Sequence, residues 1–308
     1  MCESPSAGGE GVYGFPPPGL AVADPGARQL SPLVPGAGDL EGIDDAVLDR
    51  IVVAAPPGTL ERRFVLAHAL RALRPGGELL ATAPKDKGGA RLRGELEAFG
   101  CTVNETAKRH QRLCLTRAPA QASGLAAAIE AGGPRMVTDL GLWSQPGVFS
   151  WDRIDPGTAL LLGRLTDLAG RGADLGCGIG VLARAALALP EVSDIVLIDI
   201  DRRAIAAASR NIDDPRARFL HADARHAAPG PAALDFVIMN PPFHEGGVSE
   251  PALGQALIAA AARMLRTGGV CRLVANVALP YEAALGASFS KVRQLHEANG
   301  YKLIEALR

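Results

Sequence analysis

Asp174-Leu175-Gly176-Cys177-Gly178-Ile179-Gly180 is the stretch whose reading decides the fold. A short apolar run, 172–175, leads into it and a helical pattern over 181–189 leaves it. Strand, glycine turn and helix are the opening of a βαβ unit, and glycines there let the backbone come close to a ligand. A dinucleotide fingerprint requires a further glycine at position 181, where Val181 stands. Asp174 would also repel a pyrophosphate, so a nicotinamide dehydrogenase is disfavoured.

Outward from this loop the α/β rhythm continues. Strands are expected over 195–200, 217–220, 235–239 and 270–275, with helices over 202–211 and 251–265 between them. Asp155-Pro156 opens an earlier helix, running to 168, with Asp as N-cap and Pro at the first turn. Near the end, runs over 292–298 and 301–306 flank Asn299-Gly300, a strong hairpin signal. The pattern predicts a doubly wound, mostly parallel sheet closed by an antiparallel hairpin.

Upstream, 1–45 is Gly/Pro-rich, with a short strand over 19–22. A strand over 51–55, a helix over 60–73, a strand over 78–83 and a helix over 90–99 follow. Residues 118–147 turn Ala/Gly/Pro-rich, placing a boundary that divides the chain into 1–125 and 126–308. Arg74-Pro75-Gly76-Gly77-Glu78 and Arg266-Thr267-Gly268-Gly269-Val270 echo each other as helix stop, Gly-Gly turn and strand, consistent with a duplicated α/β domain.

Composition narrows the classes. Of 308 residues, 48% are apolar and 21% charged, which excludes wholesale disorder. A net charge of −1 excludes a polybasic coat but hides an asymmetry: 1–60 carries two Arg against eight acids, 61–117 twelve Lys/Arg against six acids. Five cysteines without a C-x-x-C spacing argue against a zinc ribbon or a disulfide framework, and no metal site is expected. With no signal peptide and no membrane-length apolar run, the expectation is a cytoplasmic protein.

Three acids follow three successive strands. Asp174 suits a cationic amino-acid end, as in S-adenosylmethionine, reached directly or through water. Asp199, 25 residues on, suits both hydroxyls of a ribose, and Asp223 suits an adenine amine. Gly176, Cys177, Gly178 and Gly180 complete the cradle. At the end of the strand 235–239 stands Asn240-Pro241-Pro242-Phe243. Two prolines remove two donors, so the Asn240 side-chain oxygen and a free carbonyl can orient an exocyclic amine, while Phe243 stacks on its ring. His244 is a secondary candidate.

Together these residues resemble a class I S-adenosylmethionine-dependent methyltransferase. The segment 147–161, which contains Phe149-Ser150-Trp151-Asp152, is similar to the small-subunit ribosomal RNA guanine-N2 methyltransferases. So are Asn240-Pro241-Pro242-Phe243-His244-Glu245-Gly246 and Val274-Ala275-Asn276-Val277-Ala278-Leu279-Pro280-Tyr281. The resemblance implies a seven-stranded catalytic domain preceded by a degenerate, RNA-binding copy. It implies methyl transfer to the N2 of a guanine in small-subunit (16S) ribosomal RNA, with that RNA or the small ribosomal subunit as partner. Asn240, Pro241 and Phe243 would be the catalytic set, with Asn240 also among the cofactor-binding residues. The rival readings are a protein glutamine methyltransferase and a non-catalytic RNA-binding assembly factor.

Overall fold

The computed structural model describes residues 9–227, 233–241, 244–245, 248–249 and 251–308. The chain divides into two units, Met1–Pro134 with Gln145–Gly147, and Arg135–Ser144 with Val148–Arg308.

The first unit comprises β1 (Gly9–Tyr13), β2 (Arg28–Gln29), β3 (Leu48–Ala54), α1 (Thr59–Ala72), β4 (Leu73–Pro84), α2 (Ala90–Glu97), β5 (Asn104–Lys108), β6 (Gln111–Arg117) and α3 (Leu125–Gly132). The sheet order is β2-β1-β3-β4-β6-β5. It is parallel from β2 to β4 and antiparallel at β6 and β5. Ile51, Val52 and Val53 of β3 are all buried, as expected for a parallel strand covered on both faces. No strand forms over 19–22. Leu20 and Ala21 donate back to the Pro17 carbonyl in a turn at Gly19 (φ 70°), and the preceding prolines leave no donors for a ladder. The helix α3 belongs to this unit, since a Cβ on Gly132 would lie 2.3 Å from the Phe64 Cβ of α1. α3 thus stands within Met1–Pro134, and Gln145–Gly147 return to the same unit.

The second unit comprises β7 (Arg135–Val137), β8 (Leu142–Ser144), α4 (Pro156–Leu162), β9 (Gly170–Leu175), α5 (Val181–Leu187), β10 (Val192–Asp199), α6 (Arg202–Asn211), β11 (Ala217–His221), β12 (Leu234–Met239), β13 (His244–Glu245), β14 (Val248–Ser249), α7 (Pro251–Met264), β15 (Leu265–Asn276), α8 (Glu282–Ser288), β16 (Lys291–Ala298) and β17 (Tyr301–Leu307). Its main sheet runs β11-β10-β9-β12-β15-β17-β16. β17 is antiparallel to β15, and β16 pairs with it around Asn299 and Gly300, both at positive φ. This is the doubly wound sheet with a C-terminal hairpin that the sequence pattern predicts. β9 has β10 on one side and β12 on the other, so the chain reverses direction there. Ligands of open α/β sheets sit at such a switch point, beyond the carboxyl ends of the strands. Leu175 pairs with Met239, which brings the loop after β9 and the turn after β12 out side by side. No helix among the described residues is long and apolar enough to cross a membrane.

Removal of β11 leaves the two sheets with the same order and the same directions. The echo at the Gly-Gly turns is three-dimensional. Gly76 and Gly268 both have φ 80°. Gly76 donates to the Ala118 carbonyl at 2.9 Å and Gly268 to that of Arg308 at 2.8 Å. A Cβ on Gly77 would meet the Arg74 oxygen at 2.9 Å, and one on Gly269 the Arg266 oxygen at 3.0 Å.

The copies differ where β3 and β12 end. After β3 stands Ala55-Pro56-Pro57, in the place that Asn240-Pro241-Pro242 takes after β12. The Arg62 side chain is wholly buried under the first turn. Its Nη1 donates to the Pro57 and Pro56 carbonyls at 2.7 and 3.2 Å, and Nε and Nη2 hold the Glu95 carboxylate at 2.7 and 2.6 Å. Part of the charge asymmetry is also internal: Arg71 of the basic segment pairs with Asp45 of the acidic one, and Arg74 with Asp49 at 2.9 Å.

Candidate active site

Gly176, Gly178 and Gly180 all lie in the left-handed region, at φ 71°, 53° and 87°. Three such positions in five residues are open only to glycine at low cost. Gly180 also backs onto α6, where a Cβ would fall 2.9 Å from the Ile212 Cδ1, whereas Gly178 faces open space. The amides of Gly176 and Cys177 donate to the Ile198 carbonyl at 2.8 and 3.2 Å, pinning the loop to the end of β10. Asn211 Nδ2 donates to the Ile179 carbonyl at 3.0 Å from the far side.

Asp199 bridges the loop and the turn after β10: its oxygens accept from Gly178 N and Asp201 N, each at 2.8 Å. Burial pushes its pKa up to about 6 against those bonds. Asp174 lies fully buried beneath the loop. One oxygen accepts from Ala183 N at 3.1 Å, in the first turn of α5, and the other has no partner among the described residues. Burial, opposed by the Ala183 bond and reinforced by the nearby Asp199 charge, raises its pKa to about 8. Asp174 thus supports the loop from below through one oxygen and keeps the other unengaged.

These shifts set a pH dependence. A carboxyl group protonated in the folded chain and ionised in the unfolded one loses stability as pH rises between the two pKa values. For Asp199 that window runs from about 4 to 6, and for Asp174 from about 4 to 8. Ligand-free protein should thus be progressively destabilised from pH 6 to 8, by up to about 1.4 kcal/mol per unit for one proton. Asp174→Asn should flatten the difference, as read from urea midpoints at pH 6, 7 and 8. Parallel pH curves for the two proteins would show that Asp174 ionises normally.

Asn240 follows β12. Its Nδ2 donates to Asp155 Oδ2 and to Thr158 Oγ1, both at 2.9 Å. Its Oδ1 accepts no hydrogen bond among the described residues. Asp155 is the N-cap of α4, accepting from Thr158 N at 3.0 Å. Pro241 is buried; Pro242 and Phe243 lie outside the described residues, as does the His244 side chain.

One cleft is lined by Gly176, Cys177, Gly178 and Asn240 together with Phe149, Arg153, Asp155 and Thr158. Asp174, Gly180 and Asp199 support the cleft without lining it. Asp223 stands apart, both oxygens already held by Arg225, at 2.9 Å from Nε and 2.7 Å from Nη2, with His226 Nδ1 at 3.0 Å. Asp155, Thr158 and Phe149 belong to the stretch 147–161 singled out by its resemblance, but Asp155 reads there only as a helix cap.

The sequence model of the methyltransferase small domain family matches residues 139–305, over half of the chain. The chain belongs to the methyltransferase small domain family. Among curated relatives, the ribosomal RNA small subunit methyltransferase C of Pseudomonas paraeruginosa is 34% identical, over 82% of this chain and 77% of its own length. The protein of the same name from Pseudomonas entomophila is 32% identical, over 87% and 81%. Among solved structures, the T. thermophilus 16S rRNA N2 methyltransferase (RsmC), in complex with AdoMet and guanosine, superposes with a TM-score of 0.73 at 28% identity. That match covers 88% of this chain and 76% of the other. The methyltransferase resemblance read from the glycine loop and the Asn-Pro-Pro turn is thereby established.

Proposed function

We propose that this chain transfers a methyl group from S-adenosylmethionine to the exocyclic N2 of a guanine in small-subunit ribosomal RNA. The observation that carries the proposal is an unengaged Asn240 Oδ1 in the cleft that the glycine loop lines. The names of the relatives point to the same substrate.

The residues fit the cofactor. Gly178 has open space where a side chain would stand, Asp199 keeps lone pairs for ribose hydroxyls, and Asp174 carries an unpartnered buried oxygen. When bound, the cofactor supplies a methyl group on a sulfonium, electrophilic enough that no strong base is needed before transfer. The chain's own part is positioning and electrostatics. Gly176 to Gly178 present backbone to the cofactor. Asn240 Oδ1 accepts from the amine and turns the nitrogen lone pair out of conjugation; Pro241 holds the turn, and Phe243 supplies a ring for stacking. The guanine must reach the cleft unstacked or flipped out.

The first unit would hold the RNA. Lys85, Lys108 and Arg109 are exposed and have no side-chain partner among the described residues. The turn Lys85–Gly89 and the tip of the β5–β6 hairpin are joined by Lys85 N donating to the His110 carbonyl at 2.9 Å, so these cations share one end of the sheet. Arg93, by contrast, is paired with Glu97 at 2.7 Å. Lys108→Glu with Arg109→Glu should weaken RNA binding and flatten its salt dependence by up to about 0.9 per lost phosphate contact. An unchanged slope would return this end of the unit to the solvent.

Radiolabelled methyl transfer to small ribosomal subunits and to naked RNA, followed by nucleoside mapping, tests the function. Label in N2-methylguanosine is expected. Label in protein, or at another base position, overturns it. A ribosomal substrate would also place the chain in the cytoplasm.

A further inference from the structure

A carboxamide turned over about its last bond keeps its shape but exchanges acceptor for donor. Facing an amine, the wrong face sets N–H against N–H. An active-site asparagine whose oxygen must receive an amine therefore needs its orientation fixed by something else. We infer that Asp155 and Thr158 are positioning residues for the transfer, fixing the Asn240 carboxamide so that Oδ1 faces the substrate.

The inference rests on the role proposed above for Asn240. A carboxylate only accepts, so the atom facing Asp155 Oδ2 at 2.9 Å must be Nδ2. Thr158 Oγ1, also at 2.9 Å, accepts the second hydrogen of the same NH2. With both its hydrogens taken, Nδ2 has none left for the cleft, and Oδ1 is left to it. An ordinary helix cap requires only the bond from Thr158 N to Asp155 Oδ2 at 3.0 Å. Here that same oxygen takes a second donor, 85 positions along the chain. The turn is built tightly around it: Asp155 is 9% exposed, and a Cβ on Gly157 would lie 3.0 Å from Asp155 Oδ2 and 2.9 Å from the Tyr301 ring. Local helix capping and the setting of Asn240 are thus one device.

A double-mutant cycle tests this. Thr158→Val keeps the shape and removes the acceptor; it should lower kcat about tenfold, with the KM for RNA and the calorimetric affinity for S-adenosylmethionine nearly unchanged. Thr158→Ser, which restores the hydroxyl, should recover most of the rate. Asp155→Ser keeps a capping oxygen but is too short to reach Asn240, and should behave as Thr158→Val does. In an Asn240→Ala background the cost of Thr158→Val should shrink below about twofold, because its target is gone. An equal cost in both backgrounds overturns the positioning role while leaving the function standing. An Asn240→Ala enzyme as fast as the parent overturns the role of Asn240, and this inference with it.

Discussion

Asn240→Ala is expected to lower methyl transfer by about 10²–10³, the usual cost of removing one pre-positioned group that acts on charge developing in the transition state. The bond from the substrate amine to Oδ1 strengthens as the nitrogen becomes positive, so the loss falls on kcat. Substrate affinity changes little. Cofactor affinity is largely kept, because the loop is pinned by Ile198, Asp199 and Asn211 and not by Asn240. Single-turnover transfer to small subunits, alongside calorimetric titration of the cofactor, checks both halves. Parent-like turnover would remove Asn240 from the mechanism; a parallel collapse of cofactor binding would make its part structural.

Arg62→Ala should cost about 3–5 kcal/mol of stability, the range found when one partner of a buried ion pair is removed. Glu95, its side chain 9% exposed, would lose both guanidinium bonds, and the Pro56 and Pro57 carbonyls would lose their donor. Arg62→Met together with Glu95→Leu should recover much of the loss, since apolar pairs often replace buried ion pairs at little cost. Denaturant unfolding of the parent and both variants decides the matter. A loss near 1 kcal/mol for Arg62→Ala would mean that water reaches the site.

Local signals carried most of the fold. The β16–β17 hairpin is announced by Asn299-Gly300, two residues suited to positive φ. The β5–β6 hairpin turns through Arg109 and His110 at φ 49° and 60°, residues that turn chemistry does not flag. β1 and β2 lie in Gly/Pro-rich sequence without alternation, and the pairing of β1 with β3 and of β2 with β1 is tertiary. At the site, Gly176, Cys177, Gly178 and Asn240 were legible because strand ends carry them to one crevice. The bond from Asn240 to Asp155 was not, since nothing in the order of residues tells a helix cap that it has a second client. Nor does the sequence reveal that Arg225, two residues on, closes over Asp223.

Arg62 also bears on what the first unit's turn can bind. In the first unit, one long side chain lies under the proline turn and occupies its Pro56 and Pro57 carbonyls. An asparagine placed at position 55 would find the carbonyls that follow it already engaged. The guanidinium works as a plug: while it holds the Pro56 and Pro57 carbonyls, this turn cannot offer them to an incoming amine.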